Sequence, residues 1–511
     1  MSELLAGIGV VAAAGASAAT ILLPRGPLRV AAMLAALALF PVLVLGDQWN
    51  TTQIADLRDH TGRVVALLAV AVLAVAILAY LFRRWPRLLP LAIVFALPFR
   101  IPLHAGGDTA NLLVPLYLVI AGGVTASALR VWGSGYAAGG AAGTTAGTAR
   151  RAAVVWLPRV LAIAVVLYAL QTLYSEDFSK GLQNVCFFLV PFTVAYGLIR
   201  DQEWDVPLLR WVLIVVAVGA VVFVGVGTVE YAAKELFWND QVIRSNEFHT
   251  YFRVNSVFWD PNVYGRYLAL VIVVATAALL WVRERRELAP LTVLIGVLWL
   301  GLAQTFSESS YIALLAGLAM LAAIRWSWRW TVVVAGLAVL LMVGVVAASG
   351  TFNLEKIFSG RAALVTGGLE LFTERPVWGY GSGSFEQAYG DHRDNKDVPV
   401  SASHTEPVTV LAEQGVLGFA VYVALIAVAL WAMAAGMWRG PPQGTGIGRA
   451  AVLAAFVALL VHTLSYAGFF EDPITWVLLA VGASLASRAQ LLPDRGRGDA
   501  REARPAVRDP A

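Results

Sequence analysis

Residues 349–409 read SGTFNLEKIFSGRAALVTGGLELFTERPVWGYGSGSFEQAYGDHRDNKDVPVSASHTEPVT. This is the longest polar interruption in a chain that is otherwise almost wholly apolar. The runs bordering it, 330–350 and 410–437, read as membrane segments. An apolar run of about 20 residues is long enough to cross a bilayer as a helix. Lipid offers no partner for exposed backbone N–H and C=O groups, so such runs fold as helices. A transmembrane barrel would show alternating segments of about ten residues, and the sequence has none.

Outward from that loop the pattern repeats, giving about fourteen or fifteen spans. They fall near 4–23, 28–46, 64–82, 88–99, 112–130, 153–173, 183–200, 209–230, 262–282, 289–305, 309–325, 330–350, 410–437, 450–470 and 472–488. The run at 88–99 is short and ends at Pro98, which suits a broken or re-entrant helix. Hydrophobic residues make up 59% of the 511 and charged ones 14%. A soluble domain carries about 25% charged residues, so the chain is expected to be integral to a membrane. The expected fold is an all-α polytopic bundle with one large extracytoplasmic loop at 351–409.

Basic residues mark the ends of these runs. They cluster at Arg83, Arg84 and Arg87, at Arg130 with Arg150 and Arg151, and at Arg283, Arg285 and Arg286. Further clusters are Arg325 with Arg329, Arg439 with Arg449, and the tail from Arg488. With the spans above, all fall on one face, which the positive-inside rule assigns to the cytoplasm. The net charge of +4 follows from this topology signal and gives no reason to expect nucleic acid as a partner. Four regions are expected: an accessory N-terminal bundle (1–130), a Gly/Ala-rich cytoplasmic linker (131–152), a catalytic membrane domain (153–490) and a disordered tail (491–511). Ser2-Glu3 gives no basic region of a cleavable signal, so the first run is expected to be retained. The lone Cys186 lies in an apolar run and reads as a small buried hydrophobe. It leaves no basis for a disulfide framework or a thiolate metal site within the chain.

The unusual residues lie in the external loops. In 231–261, eight aromatics suit either an interfacial belt or a wall for a sugar or lipid substrate, and Lys234 to Trp238 could form a short interfacial helix. Asp260-Pro261 makes a sharp helix start, where Asn262 could hold backbone groups. Arg253 then sits on a tethered loop beside the bilayer, as a headgroup contact or as a phosphate clamp. The planar guanidinium fork matches phosphate oxygens in pairs. Gln304 to Tyr311 is a polar break that either faces the bundle interior or a cavity, or is a simple N-cap set in which Ser307 caps a helix and Glu308 sits at its positive end.

Within the main loop, Ser359-Gly360-Arg361 opens an amphipathic helix that ends before Arg375-Pro376. Gly379, Gly381 and Gly383 then form a tight aromatic-glycine turn, either a plain turn or one whose N–H groups cradle an anion. His404-Thr405-Glu406-Pro407 starts the next helix, with Thr405 as the natural cap and Glu413 about two turns in. A helix N-terminus disfavours imidazolium, so His404 reads either as a neutral histidine able to act as a base or as a loop histidine without a duty. His392 lies in the very polar Gly390–Asp397 run and looks solvated, whereas His462 sits inside an apolar run and is expected to bond within the bundle.

Taken together, these motifs resemble the O-antigen ligase/polymerase family of multi-spanning bacterial glycosyltransferases. The resemblance runs over about 160–480 and is carried by five features. These are Arg253 with Pro261-Asn262, the Ser-rich break, Ser359-Gly360-Arg361, Arg375-Pro376 with the glycine turn, and His404 followed by Glu413, Gly415 and Gly418. It implies transfer of a glycan from an undecaprenyl-pyrophosphate carrier to a hydroxyl on an acceptor glycan or glycolipid, outside the bacterial inner membrane. No metal, other cofactor or nucleic acid is implied; membrane lipids are the surroundings. By this resemblance His404 is the base, Arg253 and Arg361 are the pyrophosphate clamps, and Arg375, the three glycines and Glu413 bind substrate. Where the family often has Ser-Arg at the polar break, this chain has Ser307-Glu308. A multi-spanning secondary transporter for a small solute is the alternative, though no internal repeat is visible. A non-catalytic scaffold is a third.

Overall fold

The computed structural model describes residues 3–49, 59–105, 108–133, 148–237, 242–243, 246, 251–282, 284–329, 331–333, 336, 354–392 and 403–488. The chain begins with α1 (Glu3–Leu22), α2 (Pro27–Asp47), α3 (Thr61–Arg84) and the short α4 (Leu88–Ala96). A two-stranded antiparallel hairpin follows, β1 (Ile101–Ala105) and β2 (Asp108–Leu112), in register Ile101 to Leu112. Next come α5 (Val114–Gly133), α6 (Thr148–Thr172), α7 (Phe178–Arg200), α8 (Val206–Ala233) and α9 (Pro261–Trp281). The second half contains α10 (Arg285–Thr305), α11 (Glu308–Ser327), α12 (Leu354–Glu374), α13 (Phe385–Asp391), α14 (Glu406–Ala434), α15 (Thr445–Thr463) and α16 (Pro473–Arg488).

Twelve described helices are long and apolar enough to cross a membrane: α1–α3, α5–α11, α14 and α15. This is a polytopic all-α membrane protein. Of the fifteen runs expected from sequence, the one at 88–99 is cut short: α4 stops at Ala96 and the chain turns into the hairpin. The run at 472–488 forms the shorter α16, of 16 residues. The run at 330–350 lies almost wholly outside the described residues. So do most of the 131–152 linker and the 491–511 tail.

Burial separates inner helices from lipid-facing ones. In α7, 83% of the apolar window is buried, against 6% in α3, which packs mainly on α5. With no water to expel from lipid, small residues decide how close helices come. Gly265 of α9 brings that helix onto Ser307 and Ser310, and Gly317 of α11 does the same against Ala454 and Ala458 of α15. The first helix packs on α2, α6 and α7, so the N-terminal helices share one core with the rest.

The two ends of the bundle differ in charge. At one end Arg25 meets Asp201, Arg87 meets Asp205 at 2.6 Å, Arg210 meets Glu287 at 3.6 Å, and the Trp438 Nε1 donates to the Ala323 carbonyl. These contacts gather the Arg-rich turns. At the other end Ser179 donates to Asp47, and Ser175 donates to the Ser382 carbonyl at 3.0 Å. The main loop stands on this second end. It has a small core of its own, with Leu371, Tyr380, Phe385, Ala388 and Ala412 buried together.

A candidate functional site at the loop end of the bundle

The glycine turn is built against a break in α14. Gly415 has φ 62 and ψ −164 inside that helix, a conformation that an L side chain resists. Gly379, at φ 69, lies so close that an added Cβ would sit 2.3 Å from the Glu413 carbonyl oxygen; one on Gly415 would sit 2.4 Å from that of Val377. The two backbones thus touch where each carries glycine. Tyr380 N–H donates to the Ala412 carbonyl, and Gly381 N–H to that of Glu413 at 2.8 Å. The buried Glu413 carboxylate then accepts from Gly383 N–H at 2.9 Å and Phe385 N–H at 3.2 Å. Two of the N–H groups that sequence reading offered to an anion are therefore directed at the protein's own carboxylate.

The same turn is fastened to the α6–α7 connection. Gln171 Nε2 donates to the Gln414 carbonyl at 3.0 Å, and the Tyr174 hydroxyl to that of Trp378 at 2.7 Å. Arg375 pairs with Glu176 at 2.8 Å and lies over the Tyr380 ring. Tyr380 in turn donates to Glu374, and His392 closes on the same carboxylate at 3.0 Å. Hydrogen bonding from Tyr380 holds the Glu374 carboxyl below its ordinary range. The bond to the Ala388 carbonyl, aided by Glu374, raises the His392 imidazole. His392 is thus part of a clasp, not simply the solvated residue that its sequence surroundings suggest.

Arg253 belongs to a second cluster. Its Nε donates to the Thr305 carbonyl at 3.0 Å and its Nη2 to Asn262 Oδ1 at 3.1 Å. Asp260, not Asn262, caps α9, accepting from the Asn262 N–H. That leaves the Asn262 side chain to hold Arg253 and the Ser307 hydroxyl, which donates to it at 2.8 Å. Ser307 stands at the N-cap of α11, as expected, but its hydroxyl serves Asn262 and not the helix. Lys234 ends α8 in a left-handed conformation, so the short helix expected from Lys234 does not start there; Trp238 lies outside the described residues.

From Ser307 the polar contacts continue inward. Ser309 is 3.2 Å from Ser307 and 3.2 Å from Nε2 of the buried His462. His462 neighbours Tyr466, over whose ring Arg266 lies. Arg266 pairs with Asp472 at 2.9 Å, both side chains 4% exposed. Burial pushes the Tyr466 phenol up, the Asp260 carboxylate adds to this, and Arg266 and Arg100 oppose it. The segment carrying Tyr466 and Asp472 also reaches α14. Glu406 accepts from Gly468 N–H at 2.7 Å and from Phe469 N–H at 3.1 Å.

His404 stands two residues before Glu406, exposed, in the left-handed region at φ 61. Thr405 occupies the N-cap as its sequence suggests, and Pro407 opens the helix, but the Thr405 side chain makes no cap bond. Ser403 fastens the turn instead, donating to the Thr405 carbonyl at 2.8 Å and meeting Thr409 at 2.9 Å. Arg361 lies on α12, two turns before Gly368, where α12 closes on Val408 and Phe385; the Arg361 side chain lies outside the described ones.

Sequence reading missed Arg266, Arg100 and Asp472. An arginine inside the apolar run 262–282 was the available signal, since a buried intramembrane charge requires a partner. Among the described residues no group of three or more His, Cys, Asp or Glu could hold a metal ion.

Residues 293–423 match the model of the O-antigen ligase family. No curated protein matches the chain. The matched segment runs from α10 into α14 and contains Arg361, Arg375, the glycine turn, His404 and Glu413. Arg253 precedes it but is bonded to Thr305 within it.

Proposed function

We propose that the chain moves a glycan from an undecaprenyl-pyrophosphate carrier to a hydroxyl on an acceptor glycan or glycolipid. The proposed setting is the outer side of a bacterial cytoplasmic membrane, with the Arg-rich end of the bundle inside. His404 takes the proton from the acceptor hydroxyl as that oxygen forms a bond to the anomeric carbon. The bond from that carbon to the pyrophosphate oxygen breaks, and the electron pair leaves with the diphosphate. Arg253 and Arg361 meet the developing charge. Such preorganised positive groups contribute most where water is excluded.

One observation carries this reading. A continuous path of polar and ring contacts leads from Arg253 through Asn262, Ser307, Ser309, His462, Tyr466, Arg266 and Asp472 to the loop that Glu406 holds, beside His404. That path ties the loop carrying Arg253 to the segment beside His404, which supports giving the arginine and the imidazole parts in one reaction. Removing the His404 imidazole is expected to lower transfer about 10²–10⁴-fold, as for a general base. Arg253→Ala and Arg361→Ala are expected to abolish transfer in cells while the protein stays in the membrane. Normal transfer by all three variants would refute the proposal.

A further inference from the structure

The opposite end of the bundle carries a cavity of about 1030 Å³ that the transferase reading leaves without a role. Arg25, Arg29, Arg84, Arg87 and Arg130 line it, against two carboxylates, Asp201 and Glu203. Asp201 is shared by Arg29 at 2.7 Å and Arg25 at 3.3 Å. Arg87 is taken by Asp205, and Arg130 donates to the Phe82 carbonyl. Arg84 lies over Trp85 and has no acidic partner among the described residues. Arg29 is 3% exposed, and its Nε is buried with no hydrogen-bond partner there. The lining is therefore positive beyond what its own carboxylates balance.

The apolar part of the lining includes Val30, Met33, Val131, Leu198 and Leu208. Each arginine stands at the end of a membrane-crossing helix or on the turn beside it, so the cavity opens at headgroup depth. A lipid phosphate at that depth meets guanidinium forks while its chains meet the apolar wall. We propose that this cavity binds the phosphate headgroup of an anionic phospholipid in the leaflet at the basic end. It gives the first helices of the chain a ligand of their own. The site is distant from the loop end, and its test reads binding rather than turnover.

The test uses the full-length protein in detergent, with native mass spectrometry counting bound dioleoyl phosphatidylglycerol, matched phosphatidylcholine and inorganic phosphate. The expected result is retention of phosphatidylglycerol over phosphatidylcholine. Arg84→Gln, at the surface, is expected to weaken that retention about fivefold, the scale of one basic residue at an anionic leaflet. Arg29→Gln is expected to weaken it at least as much. Arg286→Gln, outside the cavity, is expected to leave it unchanged. If Arg29→Gln fails to fold, Arg84→Gln decides alone. Equal retention of both lipids, or retention by Arg84→Gln equal to wild type, would overturn the proposal. So would inorganic phosphate binding as tightly as the lipid, which would make the occupant a soluble phosphate.

Discussion

Arg253 is held by a carbonyl and an amide oxygen, neither of which cancels its charge. That suits a group that must meet an anion arriving later. His404 stands in the left-handed region, which histidine is among the few non-glycine residues to populate. This separates placement from chemistry. His404→Asn is expected to keep the turn and the melting temperature. His404→Val, β-branched at positive φ, is expected to lose about 1–3 kcal/mol. Thermal unfolding of the detergent-purified variants checks both. A second prediction concerns the His392–Glu374 clasp. The raised histidine stabilises below its unfolded pKa and loses that contribution as pH rises through its higher folded value. The lowered carboxyl stabilises above its unfolded pKa and loses that as pH falls through its folded value. The clasp is therefore tightest in mildly acidic solution. After correction for intrinsic rates, hydrogen exchange in Phe385–Asp391 is expected to be slower near pH 6 than near pH 9, and equal protection would contradict this.

At the scale of elements, the glycine turn and broken α14 form one unit. A methyl at Gly379 drives into the Glu413 backbone, and loss of the Glu413 carboxylate leaves two N–H groups without their acceptor. Gly379→Ala and Glu413→Ala are each expected to destabilise by about 1–3 kcal/mol. Because they damage one contact, the double variant is expected to lose less than the sum. Additive losses in thermal unfolding would show two independent sites. This unit also marks the limit of what sequence discloses. Glycine spacing, Pro407 and the Thr405 cap position are local signals, so the turn and the start of α14 were legible. The acceptor for the turn was not, because Glu413 reaches it only across a tertiary contact. Arg266 and Asp472 were hidden for the same reason: each sits beside apolar sequence, and only folding brings the pair together. The cut-short α4 was legible from Pro98, whereas the hairpin after it carries no strand-like alternation.

At the scale of the whole molecule, the apolar runs disclosed nearly every helix, since lipid leaves the backbone one local solution. How those helices pack was not disclosed. The first helices read as an accessory bundle; α1 packs on α6 and α7, and residues of α2, α3 and α5 line the arginine cavity. The separation of a basic end from a loop end predicts opposite exposure across the membrane. In intact spheroplasts a cysteine at Glu386 is expected to react with an impermeant maleimide, and one at Arg286 only after the membrane is opened. The reverse pattern would put the loop inside.

The proposed role of His404 is decided by the lipid-linked glycan pool in cells whose only copy of this protein is His404→Asn. The expected result is wild-type protein in the membrane, accumulated glycan on the carrier and loss of the transferred product. Product formed at the wild-type level would contradict it.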